Sequence, residues 1–282
     1  MNESAFSFGE RGHLAGVLCE PAPRALKAGA PPVLLWNVGI QHHVGPYRIW
    51  VDLARALAAK GFRSLRFDLG NMGDSEPGRG TPGSDLGDAM TALEKRLGQR
   101  EFTLVGFCSS VDQLHEVGLA DRRVTGMAYV EGYAYKTRRY WQRFPLRFLS
   151  TVRWQNRLHY RLKRAKLFEP KAAAMDAAEL EGGAGAMLDR KVPTPEQFTN
   201  DLDTLTARGV RLLLMYAGLD SEYAHPDQLY DLTRGRDFGD RLELIYMGGA
   251  DHIFYRAEDR ALAVANLCRW VEQPYRAGVS GR

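Results

Sequence analysis

Three cysteines in 282 residues, Cys19, Cys108 and Cys268, are too few and odd in number for a disulfide framework. The chain is expected to work in a reducing compartment, with any chemistry at sulfur resting on a free thiol. No pair of cysteines or histidines has the spacing of a zinc ligand pair, so no metal is expected and no cofactor is called for. No apolar stretch reaches the roughly 20 residues that a spanning helix needs. The segment Met1 to Glu10 is acidic and lacks the apolar centre of a secretion signal, which makes a cytoplasmic protein the expectation. Internal repeats are also lacking.

One further absence is local. Between Lys136 and Lys166 there is no Asp or Glu, while eleven Lys and Arg residues occur, interleaved with Tyr140, Trp141, Phe144, Phe148, Trp154 and Tyr160. Arg139, Arg143 and Arg147 recur every four residues, as do Arg153, Arg157 and Arg161, so each set forms one basic face if the segment is helical. A solvated helix face is the ordinary explanation for a charge run. Like-charge repulsion with no acid nearby favours an anionic partner instead. The candidates are an acyl carrier protein with its phosphopantetheine arm, a coenzyme A thioester, or peripheral contact with an anionic membrane surface. Nucleic acid is disfavoured because no recognition motif accompanies the charge. The net charge of +4 is modest and reflects this patch.

What the chain does contain is an alternation of strands and helices. Pro31 to Gly39 reads as an apolar strand entering a glycine turn, with a helix from about Arg48 to Lys60. A strand at Ser64 to Asp68, a Gly-rich loop from Gly70 to Ser75 and a helix from about Asp85 to Leu97 follow. After the basic segment come strands at Val210 to Gly218 and Leu242 to Met247 and a last helix from about Asp259 to Glu272, with Cys268 on its apolar face. Residues 1 to 24 read as an edge hairpin that turns at Gly9 to Gly12. Strands separated by helices require a mostly parallel sheet flanked by helices. With 45% hydrophobic residues the chain can bury the core of one such domain with an insertion.

The run Phe102-Thr103-Leu104-Val105-Gly106-Phe107-Cys108-Ser109-Ser110 is a strand, a sharp turn and the start of a helix, with Cys108 at the apex. A sulfur there sits at a helix N-terminus, where free N–H groups and the helix dipole favour a thiolate. The Ser109 N–H can face the oxygen of a reacting carbonyl. A buried, inert thiol is the competing reading of this short pattern.

The surroundings add a resemblance: the chain is similar to the α/β-hydrolase family over about residues 31 to 130 and 208 to 272. Asp68 to Ser75 resembles its Asp-x-x-Gly-x-Gly-x-Ser loop, Tyr216-Ala217-Gly218-Leu219-Asp220 its acid-bearing turn, and Gly249-Ala250-Asp251-His252 its histidine loop. The order nucleophile, acid, histidine is the order this fold uses. Asn37 to Pro46 and Glu131 to Tyr135 also resemble hydrolase-like proteins of bacterial exosortase and polysaccharide systems.

The resemblance implies an α/β-hydrolase fold with residues 1–132 and 208–282 as two halves of the core and 133–207 as a helical basic lid. It implies Cys108 as nucleophile, His252 as base and Asp220 as acid, with Glu131 and Glu222 as rival acids. Ser109 and the Gly39 or Ile40 region would form the oxyanion hole, and Arg139, Arg143 and Arg147 would bind the carrier. The expected function is cleavage of an acyl thioester or ester through an acyl-enzyme. An acyltransferase using the same intermediate is the first rival, because an acyl-cysteine stays reactive toward alcohols, amines and thiols. A catalytically silent binding protein is the second.

Overall fold

The computed structural model describes residues 1–78, 80–143, 190, 192–219 and 222–275, with the Arg143 side chain left out. Eight strands form one sheet in the order β1-β2-β4-β3-β5-β6-β7-β8. They are β1 (Asn2–Phe8), β2 (Leu14–Glu20), β3 (Val33–Trp36), β4 (Ser64–Phe67), β5 (Phe102–Phe107), β6 (Val124–Val130), β7 (Arg211–Ala217) and β8 (Leu242–Met247). The hairpin β1–β2 is antiparallel and β2 joins β4 antiparallel. From β4 to β8 every pairing is parallel.

The helices named here are α1 (Ile49–Ala59), α2 (Pro82–Leu97), α3 (Ser110–Ala120), α4 (Arg138–Arg143), α5 (Pro195–Ala207), α6 (Gln228–Thr233) and α7 (Ala257–Glu272). A parallel sheet is apolar on both faces, so its strands read as continuous apolar runs. The two-residue period of the strand then deals alternate side chains to opposite sides. Leu212, Leu214 and Tyr216 join one cluster with α2, α3 and α5. Leu213, Met215 and Ala217 join the other with α1 and α7, where Cys268 is buried.

The expected strands and helices are present with ends that differ by a few residues. Thr81 explains the longer α2. It caps the helix in a reciprocal pair with Ser84, and Pro82 follows as the first helical residue, three positions before the expected start. Of the segment expected as a lid, 133–143, 190 and 192–207 are described; Arg147 and the series Arg153, Arg157, Arg161 lie outside. Among the described residues no helix is long and apolar enough to cross a membrane.

Candidate active site

The site lies where β5, β6 and β8 end, at the carboxyl edge of the sheet, the edge at which open α/β sheets place their ligands. Cys108 follows β5 directly. Its backbone is left-handed, with φ 55°, and its N–H continues the β5–β6 ladder to Val130 O at 2.9 Å. Ser110 completes the bend: its Oγ accepts from Phe107 N at 2.7 Å and donates to Phe107 O at 2.9 Å. Gly106 is required by proximity, since a Cβ there would stand 3.1 Å from Ser110 O and 3.2 Å from Leu114 Cβ. The thiol is left partly exposed at the apex.

Glu131 follows β6 in the same manner. Its φ is 52°, and its N–H extends the β6–β7 ladder to Met215 O at 2.8 Å. The carboxylate is buried, accepting from Ala217 N through Oε1 and facing His252 Nδ1 through Oε2 at 2.8 Å. His252 comes from the loop after β8, beside Phe254, a third residue in the left-handed region at φ 50°. Left-handed backbone at a non-glycine residue costs on the order of 1–3 kcal/mol and persists where surrounding structure imposes it. Cys108, Glu131 and Phe254 are three of eight such non-glycine residues among the described ones, each standing in a segment that follows a strand of the site.

Electrostatics couple the three side chains. Burial works to raise the Cys108 thiol, but its hydrogen bond with His252, the charges of His252 and Arg190, and the Ser109 N–H together bring it below the ordinary thiol value. Burial likewise opposes charge on His252. Hydrogen bonds to Cys108 and Glu131 overcome it and raise the imidazole to about 10. Glu131 is pushed up by burial, partly offset by its bonds to His252 and the Ala217 N–H. The first two directions agree: each favours the charged form of its group, as in a thiolate–imidazolium pair.

Of the three expected acids, Glu131 is the one bonded to His252 among the described residues. It stands one strand earlier in the chain than Asp220, which lies outside them. Glu222 sits at the rim, 59% exposed at its side chain, and pairs with Lys136 Nζ at 2.9 Å. Ser109 is buried next to the nucleophile, and Gly39 faces it, since a Cβ on Gly39 would lie 3.7 Å from Ser109 Oγ. Ile40 is at the exposed outer side of that turn.

The turn is held by polar groups that sequence reasoning missed. Asn37 donates from Nδ2 to Gln41 O at 2.8 Å and to Asp68 Oδ1 at 2.6 Å, and its Oδ1 accepts from Leu69 N at 2.6 Å. Asp68, fully buried, also accepts from the His43 N–H, His43 Nδ1 and the Asp74 N–H. Burial alone would raise its carboxyl; these bonds and the nearby His43 and His42 lower it. His42, His43, Asp68 and Asp74 bring ligand-type atoms within 4.8 Å of one another. Both Asp68 oxygens already accept two protein donors each, so the group reads as a tether of the Gly39 turn.

The basic lid differs from its expectation where it is described. Lys136 pairs with Glu222, and Arg139 Nε with Asp231 Oδ1 at 3.2 Å, so acids from the second half of the core relieve the repulsion there. Arg190, within the segment expected as a lid, is brought to the site. It donates from Nε and Nη2 to Asp112 at 3.1 and 2.9 Å and from Nη2 to Cys108 O at 3.5 Å. A cavity of 460 Å³ lies beside it, lined also by Glu131, Tyr133, Val192, Glu222 and His252. His115 is buried between Tyr129 Oη and Asp201, both at 2.9 Å.

Residues 31–169 match the family model described as the alpha/beta hydrolase fold. No curated protein matches the chain. Among solved structures, an α/β-hydrolase enzyme from a Medee basin deep-sea metagenome library aligns with a TM-score of 0.60 at 12% identity, over 99% of this chain and 100% of that one. An α/β hydrolase from Penicillium sp. sh18 aligns with a TM-score of 0.56 at 16% identity, over 97% and 99%. The thioesterase domain from the curacin biosynthetic pathway gives 0.53 at 16% identity, over 96% and 99%. At such identities the likeness is one of fold.

Proposed function

The chain belongs to the α/β-hydrolase superfamily, and we propose that it cleaves an acyl thioester or ester by way of an acyl group carried on Cys108. The observation that carries this reading is the Cys108–His252–Glu131 relay, with a lowered thiol and a raised imidazole at the carboxyl edge of the sheet.

The roles follow from the geometry. The thiolate of Cys108 attacks the substrate carbonyl, whose electron pair moves to oxygen and is met by the Ser109 N–H and by an N–H of the Gly39 and Ile40 turn. Collapse of that intermediate expels the alcohol or thiol, which takes its proton from the His252 imidazolium. His252, now neutral, removes a proton from water, and the resulting hydroxide attacks the acyl-sulfur bond. Collapse returns the thiolate and the carboxylic acid. Glu131 fixes the His252 tautomer and balances the imidazolium charge throughout.

Transfer to an alcohol or amine in place of water uses the same intermediate. A carrier such as acyl carrier protein or coenzyme A is the partner that the basic lid would fit, with Arg139, Arg143 and Arg147 as its contacts. Incubation with a panel of acyl thioesters and intact-protein mass spectrometry should show an acyl adduct on the chain that is absent in Cys108→Ala. No adduct with any substrate, together with alkylation of Cys108 no faster than free cysteine, would instead support a catalytically silent binding protein.

A further inference from the structure

Arg190 has a place at the site that the proposed chemistry does not use. Residues 112 and 190 are 78 apart in sequence, yet Asp112, one turn into α3 from the nucleophile, holds the guanidinium through two hydrogen bonds. The same Nη2 reaches Cys108 O at 3.5 Å, and the guanidinium carbon lies 5.9 Å from the Tyr133 ring centre. The side chain is fixed on three sides while 31% of it stays exposed to the cavity that also holds His252.

The charges around this cavity are matched in a particular way. Glu131 faces His252, Glu222 faces Lys136, and Asp112 takes one edge of Arg190. The other guanidinium nitrogen, Nη1, makes none of the hydrogen bonds seen among the described residues. A guanidinium carries donors only, so what this edge can accept is an oxygen with lone pairs, and a charged oxygen binds it most strongly. The cavity volume lies within the roughly 300–1,000 Å³ of small-molecule sites.

We propose that Arg190 is an oxyanion subsite of this pocket, selecting substrates that carry a carboxylate or phosphate within a few bonds of the carbonyl attacked by Cys108. The inference rests on the nucleophile reading for its use in turnover, but its binding chemistry can be read without turnover. Iodoacetate and iodoacetamide alkylate the same sulfur and differ in one charge. With each rate normalised to free cysteine, the iodoacetate-to-iodoacetamide ratio at Cys108 is expected to fall about fivefold or more in Arg190→Gln, as loss of one close charge-assisted contact implies. Arg190→Lys keeps the charge and should retain part of the ratio. Arg100→Gln, an exposed change paired only with Glu94, should leave it unaltered.

Turnover then separates the two sources of the oxyanion. If the carboxylate belongs to the acyl group, Arg190→Gln raises KM for the 4-nitrophenyl half-ester of glutaric acid about tenfold more than it does for 4-nitrophenyl butyrate, beyond any loss common to both that the altered thiol brings. If it is a phosphate of the leaving group, the KM rise appears with a phosphopantetheine butyryl thioester. An alkylation ratio identical in wild type, Arg190→Gln and Arg190→Lys would overturn the proposal, as would equal losses on charged and neutral substrates. A thiol that alkylates sluggishly and takes no acyl group fails the nucleophile reading instead, and the ratio remains measurable in that case.

Discussion

His252 sets its Nδ1 2.8 Å from the buried Oε2 of Glu131 and engages the Cys108 thiol in a second hydrogen bond. A buried carboxylate in contact with an imidazole is stable as a charge only if the imidazole is protonated or donates to it. The proton on the ring and the lowered thiol are therefore two expressions of one arrangement.

The first prediction concerns the carboxylate. Glu131→Gln preserves shape but offers Nδ1 an amide that can present either a donor or an acceptor, so the ring tautomer is no longer specified. Acylation of Cys108, followed by intact mass, should slow by about 10³-fold or more, the scale of losing the orienting acid in a relay of this kind. Asp220→Asn is the comparison. A large loss there with an active Glu131→Gln would return the acid role to the turn after β7.

The second concerns pH. A thiol lowered below its ordinary value is a thiolate at lower pH than free cysteine, so iodoacetamide labelling of Cys108 should rise earlier on the pH axis and reach its plateau sooner. The imidazolium, raised to about 10, persists over that plateau and is lost as the pH climbs through that value. Acyl turnover, which needs its proton for the leaving group, should decline there. His252→Ala removes the main lowering partner and should move the labelling profile up toward that of an ordinary thiol. An unshifted profile in this variant would mean that the two groups are not coupled in solution.

How much of this was legible in the sequence depends on the range of the contact involved. Cys108 could be read because its strand, bend and helix are contiguous, and β3 and β7 because strands buried on both faces are apolar runs. Glu131 against Asp220 could not be decided. Each follows an apolar run in the sequence, and which carboxylate meets His252 depends on contacts between loops far apart in the chain. Arg190 carried no signal, since its partner Asp112 belongs to a different element far along the chain. Asn37 and Asp68 did carry one: a polar residue directly ending an apolar strand must find partners when buried.

That tether gives the third prediction. Asp68→Leu leaves the His43 ring, the His43 and Asp74 N–H groups and the Asn37 amide without their acceptor. Stranded buried donors cost about 1–3 kcal/mol each when water cannot reach them, so the melting temperature should drop by several degrees. If the Gly39 turn supplies an oxyanion donor, kcat should fall by about 10²-fold in the fraction that stays folded. A stability loss with unaltered kcat would separate the tether from catalysis.

The fourth concerns the lid. Arg139 is 47% exposed at its side chain and its pairing with Asp231 is a surface contact, worth at most about 1 kcal/mol. Replacing Arg139 by Gln should therefore change thermal stability little. If the basic face docks an anionic carrier, the variant with Arg143 and Arg147 replaced along with it should raise KM for carrier-bound acyl thioesters, with an effect that shrinks as salt is added, because exposed charges are screened over about 8–10 Å at moderate ionic strength. A small neutral ester reaches Cys108 without docking and should be turned over as by the wild type. Equal losses on both substrates would assign these arginines to folding, and salt-independent losses would argue against docking through charge.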